Sequence, residues 1–395
     1  MRVAVVAEYY PRAADPVLGV WAHRQALAAR AAGANVRVLV LHRPVPSRAA
    51  LRERDLGAAA AALRQPRRAR LDGLDVRYVR YLSPPRPRSY GSWGAWAAPA
   101  LALALRRLRR EFPFDLVHAH YAVPAGDAVR RARLGVPTVV SVHGGDVLAT
   151  ARRGERAQRA VRESLGAARL VLANSADTAR RCRAHGARDV RVVHLGTDLP
   201  ASAPAPGAGG ARDAGPSLVT VAHLVARKRH ADVVRALWIL RERWPDLRYV
   251  VAGDGPEREP LRALALELGV ADRVHLLGEL APADAVAEAR RGSLFVMPSV
   301  DEAFGVAYVE AMAGGVPAIG CRGSGGPEEI AGAGGGMLLV PPGDMEALAG
   351  QIDAVLGDPA LARHLGAEAR ATVERAFTWE ACGRATVEAY EAALA

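Results

Sequence analysis

The sequence predicts an α/β protein of two domains, each a doubly wound parallel sheet. Three observations predict it. The chain has 395 residues, too many for one ordinary hydrophobic core and enough for two. Short apolar runs alternate with helical spacings, and they do so in two separate series. Between the series, Thr197 to Pro216 is rich in proline, glycine and alanine and has no period. The expected division is therefore 1–196, a linker 197–216, and 217–378.

The elements follow in order. Arg2 to Glu8 is a short apolar run and reads as a buried strand. Trp21 to Ala32 has helical spacing and stops at Gly33. Val36 to Leu41 is the next strand, and Val76 to Leu82, Leu116 to Ala119, Thr138 to Val142, Leu170 to Ala173 and Val190 to His194 continue the series. Leu51 to Arg70 fits no period and reads as an excursion helix or a basic loop. The second series is Leu218 to Ala222, Tyr249 to Ala252, Arg273 to Leu277, Leu294 to Met297, Pro317 to Gly320 and Met337 to Val340. Helices are expected over Asp344 to Val355, Pro359 to Arg375 and Trp379 to Ala392.

Composition narrows the function. No run of eighteen apolar residues occurs, so no membrane-spanning helix is expected. The chain opens on a strand pattern, which predicts no signal peptide. Three widely spaced cysteines, Cys182, Cys321 and Cys382, suit a reducing cytoplasm and argue against a disulfide framework or a zinc site. The formal net charge is +12. A genome that favours arginine raises that total by itself. The clustering in the first half is the informative part: Arg64 to Arg70, Arg86 and Arg88, and Arg106 to Arg110. Such a face suits peripheral contact with anionic lipid at the inner membrane surface, or a phosphorylated acceptor. No nucleic-acid motif accompanies it.

The segment Asp301 to Gly320, DEAFGVAYVEAMAGGVPAIG, holds two carboxylates, Glu302 and Glu310. Gly305 followed by Val306, Val309 and Met312 reads as a helix start after a loop. Glu302 then precedes the helix and Glu310 lies about one turn into it. Amide groups at such an end attract phosphate, and the two acids are placed to hold hydroxyls on either side of it.

With GSGGPEEI at Gly323 to Ile330, this segment resembles the C-terminal signature of the family 4 glycosyltransferases, in wording nearest the bacterial polysaccharide type. RVAVVAEYYP, HAHYAVPAG, TVVSVHGGD, LVTVAHLVARK, YVVAGDGPE, RVHLLGEL and LFVMPS follow in the family's order, so the resemblance covers nearly the whole chain. It implies the GT-B fold, two Rossmann-like domains facing across a cleft, with the helix at about 379–395 packing back on the first. It also implies retaining transfer of a hexosyl unit from a nucleoside diphosphate sugar to an acceptor hydroxyl on a saccharide, lipid-linked or small-molecule partner. The donor is a substrate, and no cofactor is implied.

The resemblance assigns the residues as well. Lys228 matches the diphosphate-binding lysine. His223 stands where the family often has arginine, and Arg227 is a substitute donor. Glu310 would accept from ribose hydroxyls, Glu302 would hold a sugar hydroxyl near the reacting carbon, and Phe304, Gly305 and Val306 would offer backbone groups. Gly253 would allow close approach to the nucleotide, and Leu277 and Gly278 would border the base. Gly19 would sit near the donor phosphate, and His143 beside the reacting sugar or the acceptor. His120 would line the acceptor side, with His118 structural. Glu302, His143 and Lys228 are the catalytic candidates. No D-x-D occurs, so metal-independent stabilisation of the leaving group by Lys228, a helix dipole and backbone N–H groups is expected. A nucleotide-sugar 2-epimerase, a phosphorylase and a non-catalytic scaffold remain as alternatives on the same fold.

Overall fold

The structure is a computed structural model. It describes residues 1–13, 15–45, 63–85, 89–200 and 215–395, with 55, 57 and 60. The chain divides into two compact units: 1–195 with 379–395, and 196–378. Arg86, Arg88, part of the expected excursion and 201–214 of the expected linker lie outside the described residues.

The first unit holds β1 (Arg2–Ala7), β2 (Asn35–His42), β3 (Arg68–Leu71), β4 (Leu74–Arg80), β5 (Leu116–His120), β6 (Thr138–Val142), β7 (Leu170–Ala173) and β8 (Val190–Val192). Their order in the sheet is β3-β4-β2-β1-β5-β6-β7-β8. The central strand β1 alternates between two cores. Ala4 and Val6 join Trp93, Leu101 and Leu105 on one face. Val3 and Val5 join Ala22, Ala26 and Tyr390 on the other. Covering both faces is what lets these parallel strands be continuously apolar.

One reading needs correction. Arg68–Leu71 is neither an excursion helix nor a basic loop; it pairs antiparallel with β4 at the sheet edge. The turn is Asp72-Gly73, with φ of 44° and 80°. An Asp-Gly pair favours this hairpin because both central residues need positive φ. The C-terminal helix Trp379–Leu394 belongs to this unit and lies on the helix Val20–Ala31. A side chain on Gly383 would come 2.3 Å from the Ala28 carbonyl, so glycine permits that approach.

The second unit holds β9 (Ser217–Val221), β10 (Arg248–Ala252), β11 (Val274–Gly278), β12 (Leu294–Val296), β13 (Ala318–Cys321) and β14 (Met337–Val340). All pair in parallel, in the order β11-β10-β9-β12-β13-β14. Leu218, Val251, Leu294 and Ile319 pack with Val233, Leu237, Leu348 and Ile352 in its core. Both sheets reverse their winding once, at β1/β5 and at β9/β12. Open α/β sheets bind ligands beyond the carboxyl ends of strands at such switch points.

Candidate active site

In the second unit, the switch-point strands deliver a lysine and a glutamate to each other. Beyond β9 the chain makes one turn, Ala226–Lys228. Lys228 Nζ donates to Glu302 Oε2 at 2.5 Å and lies 3.4 Å from Met297 Sδ. Beyond β12, Ser299 Oγ donates to the same Glu302 oxygen at 3.2 Å, and Arg227 Nη1 stands 3.4 Å away. Lys228 and Glu302 are each only 9% exposed, so neither charge is tolerable there without the other. Burial acts to raise the Glu302 carboxyl. The charges of Lys228 and Arg227, with the hydrogen bonds from Lys228 and Ser299, outweigh it and hold the carboxyl below its ordinary range. Burial lowers the Lys228 ammonium, and Glu302 opposes that.

The loop that carries Glu302 is fixed through its backbone. Its N–H donates to Ser324 Oγ at 2.9 Å, and its carbonyl accepts from the Gly326 N–H at 3.0 Å. Phe304 is buried against Phe377, with ring centroids 5.6 Å apart. Gly305 caps the helix Val306–Ala313 at φ 87°, and a side chain there would strike the Tyr308 ring. Glu310 is the fifth residue of that helix and is part-buried. Burial pushes its carboxyl up to about 7; Arg290 opposes the rise and Asp198 adds to it.

His223 is exposed, and its carbonyl lies 3.3 Å from His230 Nε2. Gly253 has φ 146°, and its N–H donates to the Gly278 carbonyl at 2.7 Å. The close approach it permits is to its own chain: a side chain would come 2.0 Å from the Ala222 carbonyl. Leu277 is exposed beside it, at the end of the edge strand β11.

The switch point of the first unit is furnished differently. Gly19 caps the helix Val20–Ala31 at φ 65°, and a side chain there would come 2.1 Å from the Tyr9 carbonyl. Its close neighbour is thus the backbone that follows β1. His118 and His120 lie on one face of β5, and His143 follows β6. His118 is bound at both nitrogens, to Tyr390 Oη and Ser141 Oγ, each at 2.7 Å. His120 Nδ1 and His143 Nε2 are 3.0 Å apart, and their rings are parallel within 6°. Burial pushes His118 and His143 down to about 3, and His120 well below its ordinary value. All three rings are therefore neutral at neutral pH. Tyr121 lies against both Tyr9 and His143 and holds φ at 75°, a strained value for a bulky residue. Asp146 accepts from the Ala122 N–H at 2.8 Å, and burial lifts it to about 7.

Comparison with known proteins fits this arrangement. A family model described as glycosyl transferases group 1 matches residues 206–372, and one described as glycosyltransferase family 4 matches residues 18–200. The D-inositol 3-phosphate glycosyltransferase of Streptomyces scabiei is 31% identical over 309 residues, 71% of this chain and 68% of that protein. The chain belongs to the family 4 glycosyltransferases. An exopolysaccharide phosphotransferase of Streptomyces coelicolor is 40% identical over 157 residues; that match takes in 39% of this family 4 chain and only 16% of the relative's length. Among solved structures, the sucrose-phosphate synthase of Thermosynechococcus elongatus superposes with a TM-score of 0.78 at 21% identity, over 99% of this chain and 98% of that one. The Anabaena protein HepE, in complex with UDP and glucose, gives 0.71 at 19% identity, over 99% of each chain. The fold is GT-B.

The structure thus brings together Arg227, Lys228, Glu302, Phe304, Gly305 and Val306 in one unit. It places Gly19 and His143 at the strand ends of the other. Several residues that hold the site are absent from the sequence reading. Ser299 and Ser324 carried a weak signal, each a polar residue just past an apolar strand. A buried chain of hydrogen bonds carried none: His230 Nδ1 lies 2.9 Å from Tyr249 Oη, which lies 3.0 Å from Thr220 Oγ1. Thr220 in turn donates to the Val296 carbonyl and so ties β9 to β12.

Proposed function

We propose that this glycosyltransferase moves a hexosyl unit from a nucleoside diphosphate sugar to an acceptor hydroxyl, with retention and without a metal ion. The observation that carries the reading is the buried Lys228–Glu302 pair at the β9/β12 switch point, beside a helix N-terminus. Lys228 has a donor left after its contacts to Glu302 and Met297, and Arg227 is half exposed beside it. Together with the amides that follow Gly305, they form a cationic receptacle for a diphosphate. Glu302 holds a hydroxyl of the sugar, and Glu310 holds the ribose. The second unit takes the donor, and the neutral histidine and tyrosine cluster of the first takes the acceptor. The complex of HepE with UDP and glucose supports a uridine nucleotide as the first donor to try.

In the step proposed, the acceptor oxygen bonds to the anomeric carbon on the face from which the phosphate leaves. The carbon–oxygen bond to the phosphate breaks, and the hydroxyl proton passes to the departing phosphate oxygen. No enzyme nucleophile is needed. Lys228, the helix dipole and backbone N–H groups bear the developing charge. The test is nucleotide release with and without acceptor, in excess chelator, with the product anomer read by NMR. The expected result is acceptor-dependent release, unchanged by chelator, with the donor's anomeric configuration kept. Activity that chelator abolishes and manganese restores sinks the leaving-group arrangement. Turnover of the donor without an acceptor points instead to the epimerase.

No helix among the described residues is long and apolar enough to cross a membrane. A peripheral contact is supported by the helix Trp93–Glu111. Its exposed stripe runs from Trp96, 49% exposed, and Leu103, 51% exposed, to the exposed Arg106, Arg107 and Arg110. An apolar half followed by a basic half suits an anionic lipid surface bearing the acceptor.

A further inference from the structure

Among the buried nitrogens of the first unit that find no hydrogen-bond partner among the described residues, two lie on adjacent rings, His120 Nε2 and His143 Nδ1. Unpartnered buried nitrogens are uncommon, and a pair on adjacent rings calls for a reason. A neutral imidazole has one N–H and one lone pair. The two rings share one hydrogen bond, so neither can choose its tautomer alone. If His120 donates through Nδ1, His143 must carry its own proton on Nδ1. If His143 donates through Nε2, its Nδ1 is a bare lone pair.

The geometry says which ring is held and which lies nearer a ligand. His120 is 1% exposed, on a strand paired on both sides. Its other neighbour, His118, lies tilted against it with ring centroids 4.4 Å apart and has both nitrogens taken. His143 sits past the end of β6, in a turn that leads into Gly144 and Gly145. It is less deeply covered than His120.

We infer that His120 is a positioning residue. Its Nδ1 fixes the proton on one nitrogen of His143, and so fixes whether His143 Nδ1 offers a proton or a lone pair to a substrate hydroxyl. The inference rests on the proposed placement of His143 beside the reacting groups. A bound hydroxyl satisfies the orphaned nitrogen in either tautomer. The rigid strand holds the His120 ring in place, so the two protons are coupled before the substrate arrives. That spares the ring a rearrangement at the moment of transfer.

The test uses the full chain with nitrogen-15 histidine, free of ligand, and the His143 signals are assigned by loss in His143→Gln. Protonated and bare ring nitrogens resonate far apart, so the spectrum reads the tautomer directly. Wild type should show one tautomer. His120→Leu should give averaged or exchanged His143 signals. His120→Asn, whose amide stands near the Nδ1 position, should restore the single form. Turnover in His120→Leu should fall about tenfold with the donor KM unchanged, as for one ordinary hydrogen bond, and His120→Asn should recover most of it. If the leucine variant does not fold, His120→Gln replaces it, because its amide reaches past the Nδ1 position. Unchanged His143 signals in the leucine or glutamine variant overturn the inference. If the tautomer changes and turnover does not, the placement of His143 falls, and with it the role of His120 in transfer.

Discussion

The two switch points share a topology and differ in chemistry. Beyond β9 and β12 lie a lysine and a glutamate in contact, with an arginine beside them. At and just past the ends of β5 and β6 lie a tyrosine and imidazoles that burial keeps uncharged. A doubly wound sheet therefore does not dictate the polarity of its crevice. The residues just past each strand do. The charged crevice suits a ligand that brings its own charge, such as a diphosphate. The uncharged one suits a ligand that brings hydroxyls, which a neutral ring can meet as donor or acceptor.

The largest effect that could break this contrast lies in the charged crevice. Lys228→Met leaves the buried Glu302 with Arg227 and the Ser299 hydroxyl as its remaining partners. Losing one partner of a buried pair costs about 3–5 kcal/mol. Denaturant unfolding should show that loss, and turnover should vanish. The double variant Lys228→Met with Glu302→Leu should recover most of the stability and none of the turnover. A stable Lys228→Met protein would mean that the pair is solvated and the contrast false.

A second experiment asks whether the positive charge of the first unit works away from its strand ends. Arg106, Arg107, Arg109 and Arg110 are all exposed. Each is worth about 1 kcal/mol near an anionic surface. Changing all four to glutamine should release the protein from anionic vesicles, as added salt should. Turnover of a soluble acceptor should stay the same. Wild type that ignores such vesicles at low salt assigns the arginines to composition alone.

The smallest effect expected comes from Glu310. Its carboxyl rises from 4.5 to about 7 on folding, through burial. Between those values the folded chain holds a proton that the unfolded chain has lost. Stability should therefore fall as pH rises through that window, and stay lower above it. Glu310→Gln should remove this fall. It should also raise the donor KM by about ten- to a hundredfold, with kcat nearly kept. A lost kcat with an intact KM would place Glu310 at the reacting carbon instead of the ribose.

How much of this was legible beforehand depended on range. Strands and helices were, because period and composition are local: Thr138 to Val142 and Met337 to Val340 are strands at the residues expected. The edge hairpin was missed although Asp72-Gly73 announces it, because arginines fill the strand before it and hide its pattern. Motif order singles out Lys228 and Glu302. Nothing in the sequence says that they touch across 74 positions. The parallel rings of His120 and His143 were equally hidden, since their contact depends on the register between β5 and β6. Glycines 19 and 253 were noticed for ligand approach; the structure shows each making room for its own backbone.

The C-terminal helix Trp379–Leu394 has a consequence for how the chain is made. It supplies Cys382, Ala389, Tyr390 and Ala393 to a core whose first strand is Arg2–Ala7. On the ribosome, this unit is begun before the second and finished after it. The whole second unit, 196–378, emerges in between. At about 5–20 residues per second that interval lasts roughly ten to forty seconds. For that time the helix Val20–Ala31 lacks the cover of the last helix, and His118 Nδ1 waits for the Tyr390 hydroxyl. The nascent first unit thus stays incomplete until the last helix arrives, and a chain that stops at residue 378 has one finished half.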